Sequence, residues 1–283
     1  MAGTKKELGQ HWLSNRAILD EIAWLAAGGA DEDVNSGTDG DGETSGGASG
    51  GAVQHSEKQG KKAKLPCAVE IGPGLGYLTS SLLKRFDRVV AVEYDAELAR
   101  KLPGSFPGTG LETVHGDFLQ YDLASVGAPY VVAGNIPYYI TSPILEKVLM
   151  AEPRPERVVL LMQREVAERI LDTRGSMLSL FVKNRAEVMA GPVVPKLEFT
   201  PPPKVDSQVL VMWPHAPICG DEVFSLMRKG FSAPRKKLMH NLAGVEPREK
   251  LEEAFLACGI DLNARPADLA LLDWQKLCDL LYS

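Results

Sequence analysis

Asn135, Ile136, Pro137 and Tyr138 stand in a row behind the apolar segment Tyr130-Val131-Val132-Ala133-Gly134, and their types suit one difficult reaction. An exocyclic amino group on a nucleobase is a weak nucleophile, because its lone pair is delocalised into the ring. A site that alkylates it must hold both N–H donors on acceptors and keep the ring flat. The Asn135 side-chain oxygen and the Ile136 carbonyl are two such acceptors, Pro137 shapes the turn, and Tyr138 offers a ring for the base to stack on. Taken alone, the four residues equally describe a turn in which Asn and Pro only punctuate the backbone.

A second group lies upstream. Glu70-Ile71-Gly72-Pro73-Gly74-Leu75-Gly76 places glycines where a strand turns into a helix, so that backbone can approach a ligand closely. The spacing is G-x-G-x-G, not the G-x-G-x-x-G dinucleotide fingerprint, which counts against a nicotinamide cofactor. Glu93 closes the next apolar run, 21 residues beyond Gly72. There its carboxylate can accept from both ribose hydroxyls of a nucleoside. Asp117, in His115-Gly116-Asp117, ends a third run and can accept from an adenine amino group. Loop, ribose acceptor and adenine acceptor outline an adenosyl pocket without a phosphate-binding lysine, which fits a sulfonium methyl donor better than ATP.

These residues need a scaffold that brings several strand ends together. Strands are expected at Cys67–Ile71, Arg88–Val92, Glu112–His115, Tyr130–Ala133 and Arg157–Met162, with helical stretches at 14–27, 78–85, 96–102 and from Pro143 to Met150. Short apolar runs alternating with helical patterns imply an α/β fold whose mostly parallel sheet is covered on both faces. Ser207–Trp213 reads as a late strand, antiparallel at the sheet's edge. From about Asp221 onward only helical patterns follow. The expected organisation is an α/β domain over 1–215 and a small helical domain over 216–283.

The chain of 283 residues carries a formal net charge of −6. That excess is local: residues 28–60 hold seven acids and one base, and the remainder is balanced at 30 basic and 30 acidic side chains. Rich in Gly, Ser, Asp and Glu, the segment 28–62 cannot offset the entropy of ordering and is expected to be a disordered surface insert. Cys67, Cys219, Cys258 and Cys278 lack metal-ligand spacing and read as free, mostly buried thiols of a reducing compartment. With no apolar run approaching a membrane span and no apolar leader, a cytoplasmic protein is expected. No metal is expected, and a monomer is the default.

Contact with a nucleic acid would need a basic face. Arg228, Lys229, Arg235, Lys236 and Lys237 form the densest cluster, with no acid from Arg228 to Lys237. Helical periodicity would set several of them on one side and Phe231 on the buried side. A solvated helix face is the bland alternative.

In order along the chain, several segments together carry a resemblance. They are Leu8–Leu13, Val69–Thr79, Val92–Asp95, Gly116-Asp117, Asn135–Thr141, Met162–Arg169, Phe199–Ser207 and Phe231–Leu242. The chain resembles the small-subunit ribosomal RNA adenine dimethyltransferase family. The resemblance implies a Rossmann-like, S-adenosylmethionine-dependent methyltransferase domain and a small C-terminal helical domain. It implies dimethylation of N6 on two adjacent adenines near the 3′ end of small-subunit rRNA during ribosome biogenesis. It also implies donor contacts at His11, Leu13, Gly72, Gly74, Glu93, Asp117 and Asn135, catalysis at Asn135, Ile136, Pro137 and Tyr138, and a phosphate contact at Lys204. His11 and Trp12 depart from the family, which usually has Asn and Phe there. Two other readings share these motifs: a large-subunit rRNA adenine methyltransferase of the antibiotic-resistance type, and a non-catalytic RNA- or DNA-binding assembly or transcription factor. The run Pro201–Asp206 and the helical tail favour the first reading, and the intact Glu93, Asp117 and Asn135 disfavour the last.

Overall fold

The computed structural model describes residues 11–29, 65–172 and 175–282. The expected disordered insert lies outside them, apart from Gly28 and Gly29. Five parallel strands form most of the main sheet: β2 (Leu65–Ile71), β3 (Phe86–Glu93), β4 (Leu111–His115), β5 (Val131–Asn135) and β6 (Arg157–Gln163). β7 (Ala186–Val194) and β9 (Ser207–Pro214) extend it antiparallel, in the order β4-β3-β2-β5-β6-β9-β7. A separate two-residue pairing joins β1 (Trp12–Leu13) to β8 (Phe199–Thr200).

The continuous apolar runs are strands buried on both faces. In β6, Val158, Leu160 and Met162 enter one core while Val159 and Leu161 enter the other, the two-residue alternation of a strand. α1 (Arg16–Ala26) and α2 (Tyr77–Leu82) cover the second face through Leu19, Ile22, Leu78 and Leu82. α3 (Ala96–Lys101) follows β3, its first turn capped by the Asp95 carboxylate. On the first face lie α4 (Thr141–Leu149), α5 (Arg164–Leu171) and α6 (Met177–Arg185), which contribute Ile144, Leu145, Ala167, Ile170 and Val182. Past the sheet, α7 (Asp221–Gly230), α8 (Leu238–Leu242), α9 (Arg248–Ala257) and α10 (Leu271–Tyr282) close a third core around Trp274, Phe255 and Leu238, which Leu180 of α6 joins.

Three expectations are corrected. β9 is antiparallel but internal, because β7 pairs on its far side and takes the edge. The basic cluster does not share one helix. α7 ends at Gly230, turns carry Arg235 and Lys236, and α8 starts only after Lys237. Pro234 explains the break, since a proline inside a helix removes a donor and clashes with the preceding turn. Helix α2 also stops at Leu82, before the expected Arg85, because β3 claims the chain from Phe86. Among the described residues no helix is long and apolar enough to cross a membrane.

Candidate active site

The carboxyl ends of β2, β3, β4 and β5 meet at one cavity of about 330 Å³. At the end of β2 the glycine turn runs through three left-handed positions, Gly72 at φ +62°, Gly74 at φ +58° and Gly76 at φ +82°. A Cβ on Gly74 would lie 3.3 Å from Trp12 Nε1, so that position has neither the backbone freedom nor the room for a larger residue. The turn is held from two sides. Glu93 Oε2 accepts from the Gly74 N–H at 2.9 Å, while Oε1 accepts from the Asp95 N–H at 2.8 Å. Behind the turn, the Thr79 hydroxyl donates to Glu70 Oε2 at 2.6 Å. Gly76 gives α2 no side-chain cap, and Glu70 reaches across from β2 to the first turn of that helix instead. Burial pushes the Glu70 carboxyl up to about 8, opposed by the bond from Thr79 and reinforced by nearby Glu93, so at neutral pH it is largely protonated.

Asp117 caps the short turn after β4, where its Oδ1 accepts from the Leu119 N–H at 2.9 Å. Each carboxylate oxygen has two acceptor sites. Glu93 and Asp117 therefore retain capacity toward the cavity despite these backbone bonds.

Opposite the glycine turn, Asn135 is the last residue of β5. Its Nδ2 donates to the His11 carbonyl at 2.9 Å, which leaves Oδ1 as the acceptor. His11 Nδ1 in turn donates to the Pro201 carbonyl at 2.8 Å, and the imidazole stacks on Tyr138 with ring centroids 6.0 Å apart. The Tyr138 and Ser207 hydroxyls are hydrogen-bonded at 2.7 Å. Burial raises the Tyr138 phenol above its ordinary value, the Ser207 bond opposing and Asp206 adding to this, so the hydroxyl stays neutral. The β1–β8 pairing thus lays residues 11–13 along the pocket as a strap, whose Leu13 is only 3% exposed.

His11, Leu13, Gly72, Gly74, Glu93, Asp117, Asn135, Ile136, Pro137 and Tyr138 all border this one cavity. Trp12, Tyr94, Phe118 and Leu119 border it too, and the sequence motifs had assigned none of them a donor contact. Tyr94 and Phe118 directly follow the two acids, a position that a strand-end reading could have flagged. Tyr139 also borders the cavity and is 65% exposed. Glu93 and Asp117 supply two carboxylates to the lining beside the largely protonated Glu70, and no Lys or Arg is among the described lining residues. Such a lining disfavours a phosphate-bearing ligand and fits a nucleoside carrying positive charge, as S-adenosylmethionine does.

The basic candidates lie elsewhere. Lys204, Arg228, Lys229, Arg235, Lys236 and Lys237 are all exposed, and none borders the cavity. Lys237 Nζ donates to Asn263 Oδ1 at 2.6 Å, and Phe231 stacks on Trp274 at 5.7 Å. All four cysteines are free, and burial raises each thiol above its ordinary range, so none is primed as a nucleophile.

Residues 51–282 match the family model described as ribosomal RNA adenine dimethylase. The chain belongs to that family. A ribosomal RNA small subunit methyltransferase A from Thermosynechococcus vestitus is 35% identical over 99% of this chain and 98% of its own length. A protein of the same name from Anaeromyxobacter dehalogenans is 35% identical over 96% of this chain and 92% of its own. Among solved structures, a dimethyladenosine transferase from Plasmodium falciparum superposes with a TM-score of 0.70 at 25% identity, covering 94% of this chain and 96% of that one. The 23S rRNA methyltransferase ErmE also reaches a TM-score of 0.70, at 24% identity over 96% of this chain and 100% of its own, and shares the fold. The α/β sheet is therefore shared with these solved structures.

Proposed function

We propose that this protein uses S-adenosylmethionine to dimethylate N6 of two adjacent adenines near the 3′ end of small-subunit rRNA, during subunit assembly in the cytoplasm. One observation carries this reading: an amide-bearing turn and a glycine–carboxylate site face each other across one cavity lined by acids. The names of its relatives favour the small subunit over the large one.

In this reading Glu93 accepts from the ribose hydroxyls, Asp117 from the adenine amino group, and the backbone of the glycine turn and of Leu13 closes over the nucleoside. Bound there, S-adenosylmethionine supplies an electrophilic methyl group on a sulfonium. The target adenine leaves its stack and enters beside Tyr138. Asn135 Oδ1 and the Ile136 carbonyl accept the two N6–H bonds, which turns the nitrogen lone pair out of the ring. His11, holding Asn135 Nδ2 through its carbonyl, keeps Oδ1 aimed. Pro137 and the Ser207 bond set the Tyr138 ring as a wall. Alignment of this kind supplies much of the rate. No strong base is required, because the nitrogen becomes acidic once methylated and its proton leaves to solvent. For the second round a single N–H remains, and one acceptor suffices.

The helical tail, 216–283, is assigned to RNA, with Arg228, Lys229, Arg235, Lys236 and Lys237 as phosphate contacts and Lys204 as another. These exposed cations lie on turns and helix ends. The protein acts as a monomer in this scheme and needs no metal.

The deciding experiment transfers radiolabelled methyl to unmethylated small subunits, beside naked large-subunit RNA, with nucleoside analysis of the products. Dimethyladenosine from the small subunit alone is expected. Label in large-subunit RNA alone would overturn the assignment, and label in neither, with donor binding intact, would point to a binding protein.

A further inference from the structure

Two tyrosines share the turn after β5, and the fold treats them differently. Tyr138 is half-buried, bonded to Ser207 and stacked on His11. Tyr139 borders the same cavity yet is 65% exposed. The turn that presents it is held firmly. The Ile140 N–H donates to the Pro137 carbonyl at 3.2 Å, and the Thr141 hydroxyl donates to the Tyr138 carbonyl at 3.1 Å. Helix α4 follows at once, anchored by the fully buried Ile144 and Leu145. A large ring is thus kept in water, on rigid backbone, at the rim of a cavity.

An exposed aromatic on a fixed backbone is a stacking platform, since every nucleobase has a π-face and little entropy is lost on contact. When one base enters the cavity, the base that reaches its rim is the neighbour in the strand. Tyr139 belongs to the acceptor side of the cavity, contiguous with Asn135 and Tyr138, where the target base would enter. We propose that Tyr139 is a substrate-positioning residue that stacks on the nucleobase adjoining the adenine in the pocket. The pair of adenines is then engaged together, one inside the cavity and one on its rim. This deepens, and rests on, the rRNA substrate proposed above.

Steady-state transfer to unmethylated small subunits tests it with Tyr139→Ala, Tyr139→Phe and Tyr139→Trp. Tyr139→Ala should raise the KM for subunits about 10-fold, the loss of one base–aromatic stack, with kcat changed less than about 2-fold. Phe and Trp should restore the KM, and donor affinity and melting temperature should not move. Subunits reconstituted with an abasic site beside the target should raise the wild-type KM by a similar factor and add nothing further to Tyr139→Ala. An unchanged KM in Tyr139→Ala, no rescue by Phe, or fully additive losses would overturn this proposal alone. Wild-type protein that makes no dimethyladenosine from small subunits would overturn the substrate assignment and this proposal with it.

Discussion

The two sides of the cavity are built on different principles. On the glycine-turn side each group is held by near neighbours in the chain. Glu93 ties to Gly74 across 19 residues and to Asp95 across two, and Thr79 ties to Glu70 across nine. On the Asn135 side the ties are long: 124 residues to His11, 69 from Tyr138 to Ser207, and 190 from His11 to Pro201. The glycine turn with Glu93 and Asp117 can therefore form as soon as β2, β3 and β4 pair, and Leu13 is added later by the strap. The acceptor side is assembled only when the strap, β8 and β9 are all in place. Donor binding and methyl transfer should accordingly fail separately.

The largest separation is expected from Asn135→Ala. Transfer should fall by about 10³-fold, the order seen when one preorganised polar group is lost, while donor affinity by calorimetry stays within a few fold. Donor binding lost to the same extent as in a Glu93 variant would erase the division of labour. Glu93→Ala should weaken donor binding by about 100-fold, since it removes two charge-assisted acceptors and unties the glycine turn. Retained donor affinity there would show the turn to be self-supporting. Tyr138→Phe keeps the ring but loses the Ser207 bond. A kcat fall of up to about 10-fold with unchanged donor affinity is expected, and a change in affinity instead would join the two sides.

A smaller effect concerns Glu70. Its folded carboxyl titrates at about 8 against an ordinary 4.5, so between those values the folded state holds a proton the unfolded state releases. Stability from this group is full below about pH 4.5 and is lost as pH rises through 8. Glu70→Gln abolishes that titration, and its melting temperature should gain on wild type by about 10 °C between pH 5 and 8.5. Parallel pH profiles in scanning calorimetry would contradict the protonated assignment. The smallest effect is expected from replacing residues 29–60 with a short Gly/Ser linker, for which composition predicts unchanged melting and unchanged transfer.

Sequence legibility followed the same division. Parallel strands such as Val158–Met162 are readable because burial on both faces demands an unbroken apolar run. Gly72, Glu93 and Asp117 are readable because strand ends in such a sheet converge. β7 escaped notice: Gly191 and Pro192 interrupt it, its pairing to β9 shifts register between Ala190 and Val193, and its side chains are mostly half-exposed. Missing β7 put β9 at the edge. The strap was equally hidden, since β1 has only two residues and its partner lies near residue 200. No local period announces a pairing of that length. Periodicity also misled at 228–237, where Pro234 outweighed the helical spacing of the basic residues.

The strand order carries a consequence for synthesis. β6, whose residues 158 to 162 are completely buried, must wait for β9 as its neighbour, although β7 leaves the ribosome first. β7 cannot join the sheet ahead of β9, which lies between them. From Gln163 to Pro214 is about 50 residues, so at synthesis rates of about 5–20 residues per second an apolar, unpaired strand edge stands open for roughly 3–10 seconds. The nascent chain is thus most prone to self-association during that interval. Slow codons placed just after β6 should lower soluble yield more than the same codons placed after β9.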